Sequence, residues 1–322
     1  MNVNVRRAGI LTLIFGILMQ NASATELQGH RGARGVLPEN SLPSFEHAIA
    51  VGANCLELDI AMSRDKQLVI THDLRLNPDI VRQGKDWITQ SVLVKDLTVA
   101  QLKTYDIGRL KSGSRYAARF PQQKSIDGLK IPLLSELLNH PQIQSSKTVC
   151  LDIEIKTTPA EQDATFAPAL IADALVQLVV KSGLRSRIRV RSFDWRSLLH
   201  LTRIAPDIPL AFLTAKQHWL NNLEVGAAGK SPWLAGIDID DFGGSAPKVI
   251  KYLNGNVWAP YHRDLTAEEL KSAQDLGLRV IVWTVNDEIE MRRLLEMGVD
   301  GITTDYPEVA RRVIDEWSTV KQ

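Results

Sequence analysis

Glu57 and Asp59 stand two residues apart in Cys55-Leu56-Glu57-Leu58-Asp59-Ile60. On a β-strand that spacing sends both carboxylates to one side and Leu56, Leu58 and Ile60 to the other. The same alternation in Leu151-Asp152-Ile153-Glu154-Ile155-Lys156 gives Asp152, Glu154 and Lys156 a shared face. Glu154 can then join the first pair, with Lys156 nearer the strand end, while Asp152 lies deeper and reads equally well as a buried partner of Lys156. Converging carboxylates are costly away from water unless a cation sits among them. Oxygen ligands without Cys or clustered His suit one hard divalent ion, Ca2+ or Mg2+, rather than tetrahedral zinc. A lone Glu-x-Asp is more often a solvated strand face, so position has to decide.

Position favours chemistry. His30 closes one apolar run in Gly29-His30-Arg31-Gly32, and His72 closes another in Thr71-His72-Asp73. Two imidazoles beside a cation, Arg31 and Lys156 form an acid/base pair suited to phosphodiester cleavage, because their pKa values can straddle neutrality. His47, His140, His200, His218 and His262 have no such company and read as structural.

Apolar β-branched runs alternate along the chain with helical patterns, which implies parallel strands joined by crossover helices. The strand candidates are Leu27–His30, Cys55–Ile60, Gln67–Thr71, Thr148–Ile155, Ile188–Phe193, Pro209–Leu213, Gly236–Ile239, Arg279–Val285 and Gly301–Thr303. An α/β fold of (β/α)8 TIM-barrel type is expected, with one of these nine strands peripheral and the Gly236 segment the suspect. Barrel enzymes keep their sites at the carboxyl ends of strands, where His30, Glu57/Asp59, His72 and Glu154/Lys156 all fall. The link from Asp59 to His72 is too short for a crossover helix and reads as a hairpin turning near Asp65, which brings His72 back toward the carboxylates. Residues 74–130 are too long for a bare loop and are expected to form a small insertion after the third strand.

Arg6 and Arg7, the apolar run Ala8 to Met19 and Ala22-Ser23-Ala24 together form a secretory signal pattern over residues 1–24. The apolar run is roughly a dozen residues, against the ~20 a bilayer-spanning helix needs. Residues 25–322 then form a single barrel domain, without a second membrane candidate, located in the periplasm or secreted. With 44% apolar residues and a net charge of +1, the chain can bury a large core and offers no global field for nucleic acid, so phosphate recognition must be local. Cys55 and Cys150 are too few for a disulfide-built fold. Export permits a bridge, but each begins an apolar run where free Cys serves as a small hydrophobe, so the pairing stays open.

His30-Arg31-Gly32, Pro38-Glu39-Asn40-Ser41, Glu57-x-Asp59, His72-Asp73, Glu154-Ile155-Lys156, Val282-Trp283-Thr284-Val285-Asn286 and Gly298 to Pro307 follow in an order that resembles the glycerophosphodiester phosphodiesterases. The resemblance implies a barrel enzyme that hydrolyses a glycerophosphodiester to sn-glycerol 3-phosphate and an alcohol. It implies Glu57, Asp59 and Glu154 as metal ligands, His30 and His72 as the acid/base pair, and Arg31 and Lys156 as phosphate contacts. Glu39 would stand near the metal and Trp283 would wall the glycerol. Arg191 departs from the pattern, which usually has Gln there. Two alternatives stand beside this reading. One is a lipid-acting barrel phosphodiesterase, a lysophospholipase D or phospholipase C type, with Trp87, Tyr105, Tyr116 and Phe120 of the insertion forming a greasy mouth. The other is a non-catalytic glycerol-phosphate binding protein, which would have no need of both imidazoles and the three carboxylates.

Overall fold

The computed structural model describes residues 25–320; the signal pattern of residues 1–24 lies outside them. Eight strands form the barrel: β1 (Glu26–Gly29), β2 (Cys55–Met62), β3 (Cys150–Ile155), β4 (Ile188–Ser192), β5 (Leu210–Thr214), β6 (Val257–Pro260), β7 (Arg279–Val282) and β8 (Gly301–Thr304). Each pairs in parallel with the next, and β8 pairs with β1 to close the ring. This is the TIM barrel the alternation predicts.

The two-residue period divides each strand between two environments. Leu56, Leu58, Ile60, Leu151 and Ile153 face outward and join the main core beneath the helices. Inward positions split by sector. Between β2, β3 and β4 the register sets Glu57 beside Asp152, Asp59 beside Glu154, and Glu154 beside Arg191. Ala211, Val257 and Ile281, from β5, β6 and β7, form a separate small apolar cluster. One half of the barrel interior is therefore ionic and the other half greasy.

The helices follow from periodicity and capping. In Trp195–Ile204 the Asp194 carboxylate accepts from the Arg196 amide at 3.2 Å, and Trp195, Leu198 and Leu201 are buried on one face. Burying each such Leu contributes roughly 2 kcal/mol, and the helix stops at Ala205, ahead of Pro206. Gly183 and Gly298 end their helices at φ 74° and 87°, a left-handed conformation that costs a side chain-bearing residue 1–2 kcal/mol or so.

Three expectations need correcting. The peripheral strand is Leu68–Ile70, which turns back antiparallel on the end of β2 that projects past β1. The Gly236 segment is no strand but leads into the 3-10 turn Ile239–Phe242. The missing barrel strand is β6, whose Val-Trp-Ala-Pro carries one β-branched residue and ends in proline, leaving no alternation to detect. A second membrane candidate also exists: Gln162–Ser182 is apolar and long enough by composition, with mean hydropathy 1.5. Its helical part, Pro168–Ser182, buries Ile171, Ala172, Leu175 and Val179 against the barrel, so its apolar content is partly core.

Residues 74–130 build their own small core. Leu76, Ile80, Val81, Val94, Leu102 and Ile107 cluster with Ala61 of β2 and Val69 of the returning strand. A three-stranded antiparallel sheet of Arg82–Gln83, Asp86–Trp87 and Tyr105–Asp106 lies within the segment. At the opposite pole, Cys55 and Cys150 are register partners on β2 and β3 and form a disulfide. Parallel neighbours at the same level bring their Cα atoms to 4.4 Å, so two cysteines that each fit a hydrophobic site also fit a bridge.

Candidate active site

Glu57, Asp59 and Glu154 converge at the carboxyl ends of β2 and β3. Each offers an oxygen within 4.8 Å of the others, and all three residues are buried. Glu57 Oε2 accepts the Arg31 amide at 2.9 Å. Asp59 Oδ2 accepts from Asn40 Nδ2 at 3.0 Å, but Asp59 Oδ1 is buried without a hydrogen-bond partner. Lys156 Nζ lies 2.6 Å from Glu154 Oε1 and 3.7 Å from Asp59 Oδ1. Burial, then the neighbouring Asp59 charge, pushes Glu57 well above the usual carboxylate range. Burial also raises Glu154, against the pull of Lys156. Burial alone would raise Asp59 too, yet the charges of His72, Arg31 and Lys156 facing it hold it low. Three buried carboxylates, one with an orphaned oxygen, form a set that a divalent oxygen-ligated cation fits.

His30 stands against this trio, its Nε2 3.8 Å from Glu57 Oε2. Its Nδ1 lies 2.6 Å from Asp305 Oδ1. A carboxylate can only accept, so Nδ1 carries the proton and the Nε2 lone pair is left for the site. Asp305 is held in turn by Arg34, at 2.8 and 3.0 Å, and by Asn286 Nδ2 at 2.7 Å. Burial first, then the Arg34 charge, lowers the His30 imidazole to about 4, with Asp305 opposing. His72 is arranged likewise, with Nδ1 2.7 Å from Asp73 Oδ1 and Asp73 held by Asn77. Desolvation, then Arg31 and Lys156, keeps His72 well below the ordinary His value. Each ring is held at its Nδ1 by a carboxylate.

Glu57, Glu154, His30, His72, Asp73 and Asp305 open on one cavity of about 990 Å3, together with Arg31, Lys156 and Trp283. Arg31 Nη1 donates to Glu39 Oε1 at 2.7 Å, and its Nε lies 3.3 Å from Asp59 Oδ2. Glu39 therefore clamps Arg31 rather than joining the carboxylate trio, and the Tyr116 hydroxyl of the insertion also donates to it. Asp152 sits a layer lower, partnered by Gln28 and Arg189 at 2.9 Å each rather than by Lys156.

The sequence reading gives Arg34 no role, carries Asn286 and Asp305 only inside motifs, and offers Tyr116 only as part of a greasy mouth. Asp305 had a signal: it directly follows β8 in phase with inward-facing Thr303, the same two-residue spacing as Glu57/Asp59. The bond from Tyr116 to Glu39 had none, since its reach depends on how the insertion folds. The greasy mouth is also placed differently. Of the insertion aromatics named above only Tyr116 lines the cavity, while Phe120 is buried beneath the Arg34 guanidinium. The aromatic wall is Phe193, Trp219, Tyr261 and Trp283, in edge contacts with centroids 5.1 to 6.1 Å apart.

A parallel barrel with carboxylates, two oriented imidazoles and fixed cations gathered at its carboxyl rim has the arrangement of a barrel enzyme whose site can hold an anionic, phosphate-bearing substrate. The sequence model of the Glycerophosphoryl diester phosphodiesterase family matches residues 30–309, and the chain belongs to that family. A Silicibacter pomeroyi crystal structure carrying the same family name is 34% identical, with a TM-score of 0.80, over 92% of this chain and 95% of that one. The glycerophosphodiester phosphodiesterase of Bacillus subtilis is 28% identical over 289 residues, 88% of this chain and 84% of its own length. Human lysophospholipase D is 24% identical over 303 residues, 90% of this chain and 86% of its own.

Proposed function

We propose that the chain hydrolyses glycerophosphodiesters to sn-glycerol 3-phosphate and an alcohol, with a divalent cation, Ca2+ or Mg2+, held by Glu57, Asp59 and Glu154. The orphaned oxygen of Asp59 among converging carboxylates, beside His30, carries this reading. When bound, the cation supplies positive charge to the phosphoryl oxygens of an already anionic diester. Arg31 and Lys156 add theirs from the cavity wall, fixed by Glu39 and Glu154. One imidazole, neutral, takes the proton from the attacking hydroxyl at its Nε2, either the glycerol 2-hydroxyl or water; the other enters the step protonated, gives its Nε2 proton to the leaving alkoxide and is left neutral. His30 and His72 suit this because Asp305 and Asp73 fix their tautomers and leave Nε2 available. Trp283, whose Nε1 donates to the Ala259 carbonyl at 2.8 Å, offers its ring as the apolar wall beside the glycerol. The signal pattern of residues 1–24 supports export, to the periplasm in a host with two membranes.

The test is release of glycerol 3-phosphate from a panel of glycerophosphodiesters, with and without chelator, using the chain from Thr25. Chelator should abolish turnover and added Ca2+ or Mg2+ restore it; undiminished turnover in excess chelator would overturn the metal role. A second reading, cleavage of lysophospholipids, is favoured by half-exposed Trp219 at the mouth of a cavity of 990 Å3 or so. Comparing glycerophosphocholine with lysophosphatidylcholine separates the two, and the first is expected to turn over faster.

A further inference from the structure

Arg191 is 1% exposed, yet its Nε and Nη2 have no hydrogen-bond partner among the described residues. It points inward from β4, directly beside Glu154 in the register. Its guanidinium approaches one acid closely: Nη2 lies 3.1 Å from Asp152 Oδ2, without hydrogen-bond alignment. Asp152 is already occupied by Gln28 and Arg189, and Arg189 is itself paired with Glu26 at 2.5 Å. A buried guanidinium with unused donors is expensive, so local structure alone does not account for Arg191. Its charge is instead set beside Glu154, on the wall of the cavity that Glu57 also lines.

We propose that Arg191 is a fixed counter-charge beside Glu154, on the wall of the cavity that Glu57 and Glu154 also line, which keeps the metal-free barrel folded and sets how tightly the divalent cation is held. This rests on the metal centre proposed above. Without a cation, the trio has Arg31 and Lys156 against Asp59 and Glu154, and Arg191 beside Glu154, all three cations lining the cavity. When the cation binds, Arg191 remains and repels it. Arginine keeps its charge at all working pH, so the repulsion cannot be relieved by deprotonation. Removing that charge therefore favours the divalent ion.

The experiment is titration of chelator-stripped chain with Ca2+ and with Mg2+, read by calorimetry and by the metal-induced rise in Tm, for the wild type, Arg191→Gln and Arg191→Lys. Arg191→Gln should bind the ion at least about tenfold more tightly, equivalent to 1.4 kcal/mol or so. Its metal-free Tm should fall while its metal-induced rise grows. Arg191→Lys should stay within about threefold of wild type, which a merely space-filling role would not require. Should Arg191→Gln not fold, Asp152→Asn tests the same network with the opposite sign: it leaves the Arg191 charge less neutralised and should weaken the metal. Unchanged or weaker binding in Arg191→Gln overturns the inference, as does a raised KM with unaltered metal affinity, which would make Arg191 a phosphate contact. If the wild type binds neither ion, the metal centre itself falls and this inference with it; if it binds and only the variant shift is missing, the metal centre stands.

Discussion

At the scale of single residues, the site works by fixing tautomers and charges before substrate arrives. His30 is buried between Asp305 and Glu57, and Asp305 is in turn locked by Arg34 and Asn286. His30→Ala and His72→Ala should each lower kcat by about 10²- to 10⁴-fold, the usual worth of a positioned acid or base, with far-UV circular dichroism unchanged. Asp305→Asn should lower kcat by about 10² or more, because an amide can donate to Nδ1 and stabilise the wrong tautomer. Steady-state rates on glycerophosphocholine check all three, and an Asp305→Asn rate equal to wild type would show that the His30–Asp305 contact is only structural. At this scale the trio, the two imidazoles, Arg31 and Lys156 were legible, since strand alternation fixes which neighbours share a face. Asp305 followed the same rule and was passed over because it stands beyond its strand. Glu39 was legible as a site residue but not as a clamp on Arg31, a pairing set by a turn in which Arg31 has φ 52° and Asn40 φ 54°.

At the scale of elements, β2 and β3 carry all three carboxylates at one end and are joined by Cys55–Cys150 at the other. The bridge closes a loop over a sequence separation of 95 residues, so it restricts the unfolded chain strongly. Replacing both cysteines by Ser should cost about 2 to 4 kcal/mol, read from urea denaturation. Turnover should persist, because four residues of strand, ~13 Å, separate Cys55 from Asp59. A double variant as stable as wild type would mean that the bridge adds nothing. The hairpin after β2 was readable because five residues cannot hold a crossover helix, and Thr71 N–H indeed donates to the Asp59 carbonyl at 3.0 Å. Strand β6 was not, because a four-residue run buried on both sides carries no period. The fold of residues 74–130 was equally hidden, since its short strands and turns are held by contacts distant in sequence.

At the scale of the whole molecule, an ionic column runs through the barrel from Glu26 at the amino pole, through Arg189, Asp152 and Arg191, to Glu154 of the carboxylate trio. Burial alone would raise the Glu26 pKa, but the Arg189 charge and hydrogen bond outweigh it and pull the group down to about 2 from an ordinary 4.5. Because the folded value is depressed, this stabilisation is fully present above about pH 4.5 and is lost as the pH falls toward 2. It is worth about 3 kcal/mol. Glu26→Gln should therefore lower Tm at pH 7 and flatten the loss of stability between pH 4.5 and 2, as followed by thermal melts across that range; an unaltered acid slope would refute the assignment.

The most direct test of the metal centre is the ion content and turnover of Asp59→Asn beside wild type, each purified metal-free and reloaded with Ca2+ or Mg2+. Asp59 is completely buried, and its Oδ1 has no hydrogen-bond partner, with only Lys156 Nζ at 3.7 Å. The wild type should retain one ion per chain and release glycerol 3-phosphate, while Asp59→Asn should retain none at the same free-ion concentration and lose turnover in proportion. A folded Asp59→Asn variant that keeps both the ion and the rate would contradict the account.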